Sequence, residues 1–198
     1  YGTQMVYQNG RKFRFVKAGG VALTAGSMQQ AAVNEANHIN VVQTAGTAAA
    51  IGARSISIDI VTAADITADL YKEGFFNVSD GTGEGYMYGI GSHDTNTSED
   101  TVATVFYFVP GDSIQVATAT ATDVTLLKNP YKGVVIFPAP ATQTVVGAAV
   151  KPLAISAHGW IQTRGPASVL TNGTLVIGEG VHTGITTAGA VTAVSTTY

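Results

Sequence analysis

The sequence predicts an all-β protein: a β-sandwich or barrel-like body of many short strands, with an extended N-terminal arm and at most one short helix. Three observations carry this expectation. Only 12% of the 198 residues are charged while 23 are Gly, the composition of packed sheet joined by tight turns. Residues 55–60 (SISIDI) alternate strictly, which puts three Ile on one face and polar side chains on the other. Short apolar runs then recur along the chain, divided by turn signals at Asp80-Gly81, Pro110-Gly111-Asp112, Asn129-Pro130, Gly165-Pro166 and Asn172-Gly173.

Taken in order, residues 12–17 (KFRFVK) alternate basic and apolar and predict a short strand with one buried face. Residues 18–51 are Ala, Gly, Gln, Asn and Thr with Glu35 as the sole charged side chain and no sustained helical stripe. Such a stretch reads as an extended arm ordered by contact with something else, or as a long loop packed on its own domain. Residues 62–72 (TAADITADLYK) fit one short helix, with Thr62 as N-cap and Asp65 in the first turn. Strands are expected at 75–78, 86–90, 101–109, 113–117 and 124–127, then at 134–137, 144–155, 159–163, 174–177 and 190–194. Runs this short indicate a sandwich or barrel rather than βαβ units. The expected division is an arm over 1–51, a β subdomain over 52–127, and a second β subdomain over 128–198 packed on the first, joined at 129–133.

A formal charge of −3 argues against a basic nucleic-acid or membrane footprint, and no run of about 18 apolar residues offers a membrane-spanning helix. With no Cys there are no disulfides and no thiolate metal sites. Asp80-Gly81-Thr82-Gly83-Glu84-Gly85 misses the spacing of a dinucleotide loop, lacks the Lys of a P-loop, and offers too few oxygens for calcium. It reads as a hairpin connection. The histidines (His38, His93, His158, His182) are far apart, with no paired metal-ligating spacing. His93 reads as a solvated loop residue, His158 as a turn cap, and Trp160 as a core anchor. There is no G-x-S-x-G elbow, and Asp59, Asp65, Asp69 and Glu99-Asp100 read as solvated carboxylates rather than a convergent pair. No catalytic, cofactor-binding or metal-binding residue is assigned, and an enzyme is not expected.

The segments NPYKGVVIFP (129–138), VVGAAVKPLAISAHGWIQTRGPASVL (145–170) and NGTLVIGEGVHTGITTAGAVTAV (172–194) resemble virion proteins of tailed phages. So do LYKEGFFNVSDGTGEGYMYGIGSH (70–93) and GRKFRFVKAGGVALTAGSMQQ (10–30). The resemblance is to small head decoration (cement) proteins, covers most of the chain, and rests on glycine and turn positions. It implies a β-rich, often trimeric virion structural protein on the capsid exterior that bridges major capsid protein subunits, with no small-molecule substrate, nucleic acid or membrane partner.

In that reading the arm lies along neighbouring capsid subunits, with candidate partner contacts at Tyr1, Tyr7, Arg11, Lys12, Arg14, Lys17, Met28 and His38. The basic residues among them suit either an acidic partner surface or a solvated strand edge. Removing residues up to about Ile51 is then expected to leave a folded body that no longer decorates heads. Two other readings compete: a tail or fibre component that recognises a receptor, and a carbohydrate-binding β-sandwich that engages glycans through exposed Tyr or Trp.

Overall fold

Alternating patterns dominate the architecture. The computed structural model describes residues 1–42, 48–58, 65–96 and 103–194, which form an all-β protein with a single 3-10 turn at Ala36–His38. Contacts divide the chain into two units: Tyr1–Val33 with Pro130–Tyr198, and Asn34–Asn129.

The first unit is built on β1 (Gln4–Val6), β2 (Lys12–Ala18), β3 (Met28–Gln30), β10 (Lys132–Ile136), β11 (Val145–Ala149) and β12 (His158–Arg164). Its sheet runs β1-β2-β10-β3-β11-β12, and β12 pairs again with β2, closing a five-stranded barrel with β1 as a flap on the outside of β2. The closing seam is the longest pairing of the unit, from His158 opposite Lys17 to Arg164 opposite Lys12. Val16 and Ala18 share one face of β2 and meet Val134, Ala149, Ile161 and Leu23 in the interior. A small barrel has room inside only for packed side chains, and aliphatic ones fill this one. A separate hairpin, β13 (Val181–Thr183) with β14 (Val191–Ala193), follows in the same unit.

The N-terminal stretch is therefore no arm. Residues 1–33 supply two barrel strands and the flap, and the division at 51/52 gives way to an insertion of Asn34–Asn129 between the barrel's two sequence halves. The physical reason is that β3 is held by partners more than a hundred residues away: Gln29 and Gln30 pair with Ile136 and Val135 on one side and with Gly147 and Val145 on the other. Both glutamines are buried and satisfied locally in part, Gln29 Nε2 donating to Ser27 O at 2.8 Å and Gln30 Oε1 accepting from Thr142 N at 3.0 Å. A strand that buries an amide on each of its faces has no apolar signature.

The second unit contains β4 (Val41–Val42), β5 (Ser55–Ile58), β6 (Phe75–Asp80), β7 (Met87–His93), β8 (Thr104–Phe108) and β9 (Asp123–Leu127). They form one antiparallel sheet in the order β4-β9-β6-β7-β8-β5. Alternation does the work: Ile56 and Ile58, Phe76 and Val78, Tyr88 and Ile90, Phe106 and Phe108, and Val124 and Leu126 all fall on one buried face. Ala49, Ile66, Tyr71 and Ile114 join that core. Within the aromatic triplet on β8, Phe106 and Phe108 point inward while Tyr107 stays 43% exposed.

The segment 80–85 connects β6 to β7 as a turn, with Gly81, Gly83 and Gly85 all at positive φ (82°, 91° and 86°). Three left-handed residues within five explain its glycines without any bound phosphate. The expected helix at 62–72 does not form over its described part. Residues 68–72 are turns, with Asp69 at φ 60°, and Ile66 bridges Asn96 instead; Thr62 lies outside the described residues. The runs 113–117 and 174–177 carry no strand either.

Candidate functional site

The parity of β2 decides where the expected contact residues go. Phe13, Phe15 and Lys17 face away from the barrel interior, while Lys12 and Arg14 share the face of Val16 and Ala18. The basic residues thus do not form one stripe, and two are pinned within the unit. Arg14 donates from Nη1 to Gly2 O at 2.6 Å with its guanidinium 5.7 Å from the centre of the Tyr131 ring. Arg11 lies 5.0 Å over Phe13 and donates from Nε and Nη2 to Gln162 Oε1 at 3.1 and 2.7 Å. Lys12 and Lys17 sit half-buried at the two ends of the strand, opposite Arg164 and His158.

Tyr1 and Tyr7 cover the outside of β2. Tyr7 packs edge-on to Phe13 at 5.3 Å, while Tyr1 lies parallel to both Phe15 (6.3 Å, 9°) and His158 (5.8 Å, 4°). Phe15 and His158 are themselves parallel at 5.8 Å and 11°. Three nearly equal separations between parallel rings describe a triangle rather than a column, so the cluster spreads over the sheet. Trp160 adds an edge against Phe15 at 5.4 Å, and Tyr1 Oη lies 3.3 Å from His158 Nε2. Trp160 is consequently a partly exposed member of this outer aromatic face, not a core anchor, because its register partner Phe15 points outward. His158 begins β12 rather than capping a turn.

Met28 is tied into the barrel through β3, and its backbone N–H donates to Gly189 O at 2.8 Å. His38 is a correction of a different kind, since it is 0% exposed in the second unit and its Nδ1 hydrogen-bonds the Tyr71 hydroxyl. A polar sequence neighbourhood hid a buried histidine. His93 is likewise no free loop residue: it ends β7, its Nε2 accepts from Tyr71 N at 3.1 Å, and its Nδ1 donates to Asp94 O at 2.8 Å. The first contact assigns the acceptor role to Nε2, which leaves the proton on Nδ1. Near this cluster Lys128 Nζ approaches Glu35 Oε1 at 2.6 Å, and that hydrogen bond holds the Glu35 carboxyl below the usual carboxylate range against the opposing effect of partial burial. Asp59, Glu99 and Asp100 lie outside the described residues. Among the described residues, no three His, Asp or Glu converge to hold a metal ion.

Burial pushes the Tyr71 phenol well above the ordinary tyrosine range, with the nearby Glu35 charge adding to the shift. The unfolded chain loses this proton near pH ~10 while the folded chain keeps it, so the folded state binds more protons above that point. Stability should therefore fall as pH rises past about 10. Urea midpoints of the parent and Tyr71→Phe across pH 8–11 should converge, because the variant lacks the ionisable group. Parallel curves would show that Tyr71 ionises as freely in the folded protein as in the unfolded one.

Fold and surface together define an all-β protein with a closed barrel that carries an outward aromatic face. No family model, curated protein or solved structure matches the chain.

Proposed function

We propose that this protein is a virion structural protein, a capsid decoration protein that binds the outer surface of a major capsid protein lattice and stabilises the head, acting as a homo-oligomer, a trimer in the simplest case. It works through contact area and makes no bond with its side chains. The observation that carries the reading is the apolar surface of the C-terminal segment: Leu170, Val176, Ile177, Val181, Ile185 and Val194 all stand in water, with Ile177 fully exposed. Side chains like these gain up to about 1.5–3 kcal/mol each when a partner covers them. An arm reaching along neighbouring subunits has no place in this version; the contacts come from the folded surface.

The experiment is to add the purified chain to heads that lack it and measure bound copies by sedimentation. Saturation at hundreds of copies per head is expected. Ile177→Asp combined with Ile185→Asp, both at exposed positions, should weaken binding by about tenfold or more. Heads that bind nothing, or bind the double variant equally well, would refute the reading.

A second reading, a receptor-recognition module for carbohydrate, is favoured by one feature alone, the Tyr1–Phe15–His158–Trp160 face. Flat apolar rings suit the C–H faces of sugars. Retention on immobilised glycans that Trp160→Ala abolishes would select it.

A further inference from the structure

In the first unit lies a cleft of about 490 Å³, lined by Ala25, Gly26, Val150 and residues 166–170, with Arg11 as its sole charged lining residue. Its two working parts are fixed by one buried side chain. Gln162, 3% exposed, takes the Arg11 guanidinium on its Oε1, while its Nε2 donates to Arg164 O, Gly165 O and Pro166 O at 3.0, 3.1 and 2.8 Å. The cation and the segment leading into the cleft wall are therefore held in one geometry before anything binds.

Arg11 spends two of its five donors on Gln162, and among the described residues no carboxylate pairs with it. Beside it, the backbone groups of Ala167, Ser168 and Val169 make no hydrogen bond with the described residues, whereas Leu170 is tied at both ends, its N–H donating to Gly26 O at 2.8 Å and its carbonyl accepting from Val191 N at 2.9 Å. An unpaired cation next to unpaired peptide groups and apolar walls matches one kind of occupant. We infer that the cleft binds a polypeptide segment carrying a carboxylate, with Arg11 clamping the carboxylate and residues 167–169 pairing with the incoming backbone. One cation matches a singly charged carboxylate better than a doubly charged phosphate, and a planar fork is the geometry carboxylates accept. The backbone pairing uses main-chain hydrogen bonds, as recognition by strand addition does.

This inference is independent of the decoration reading, because small soluble probes test it without any capsid. The full ¹⁵N-labelled chain is titrated with N-acetyl-Ala-Val-Ala-Val bearing a free terminal carboxylate, with the same peptide as its terminal amide, and with glucuronic acid. The free acid should shift the amide resonances of Gly26, Leu170 and residues 167–169, and should bind about tenfold or more tightly than the amide. Arg11→Met should remove that preference. Ser168→Glu, at an exposed position where unfolding is no explanation, should weaken the acid peptide by a similar factor by setting a competing carboxylate beside Arg11. Equal binding of acid and amide, no shift at about 10 mM peptide, or glucuronic acid binding as tightly as the acid peptide would overturn it.

Discussion

Deleting residues 1–33 should abolish folding of the first unit rather than trim an appendage. The deletion removes β1 and two of the five barrel strands, β2 and β3. It opens the edges of β10, β11 and β12 and puts Val134, Ala149 and Ile161 into water. What remains of the barrel is the β11–β12 pair and a β10 with no strand partner, and such exposed edges and apolar side chains aggregate. The expected product is insoluble, or soluble with collapsed amide dispersion for residues 130–194. A point variant makes the same test without shortening the chain: Val16→Asp puts an unpaired carboxylate inside the barrel, where Val16 is 0% exposed, and should be as damaging. A truncated protein that stays soluble with native dispersion in the barrel would show that the seam between β2 and β12 does not hold the unit together.

Phe106→Ala should cost about 3–5 kcal/mol of the stability of the second unit, a large share of the total for a domain of this size. Phe106 is 0% exposed and its ring meets Tyr71, Phe76 and His93 at 6.3, 6.1 and 5.5 Å. Truncation leaves a cavity that the flanking strands cannot close, because those neighbours are fixed by the sheet and by the His38–Tyr71 contact. The adjacent Tyr107→Ala lies on the solvent face and should change stability by no more than about 0.5 kcal/mol. Denaturant unfolding of both variants checks the contrast. Similar costs for the two would mean that the alternation assigned to β8 is wrong.

Sequence pattern made the second unit largely legible. Ser55-Ile56-Ser57-Ile58, Phe76 with Val78, and Phe106 with Phe108 all show the two-residue period, and the glycines of 80–85 mark the turn they form. The barrel was harder for a specific physical reason. Its interior mixes Ala18 and Ala149 with Val16, Leu23, Val134 and Ile161, so two of its core positions carry residues too small to mark a core in sequence. Its third strand in sequence buries a glutamine on each face. Its closing pair joins residues 12–18 to residues 158–164, a separation that local pattern does not encode.

The candidate contacts were legible only as residue types. The sequence marked Arg11 and Arg14 as cations but not that Gln162 and Gly2 O hold them, and it gave no sign that His38 is sealed against Tyr71. Trp160 and His158 gained an outward role only when their strand found its partner, since that pairing sets them against Phe15 and Tyr1.

The most direct measurement of the central claim is an image reconstruction of intact virus particles at a resolution that traces this chain. The account predicts its density in many symmetry-related copies on the outside of the head, with Ile177 and Ile185 buried against neighbouring subunits. A handful of copies confined to the tail tip, or particles that never carry the protein, would contradict it.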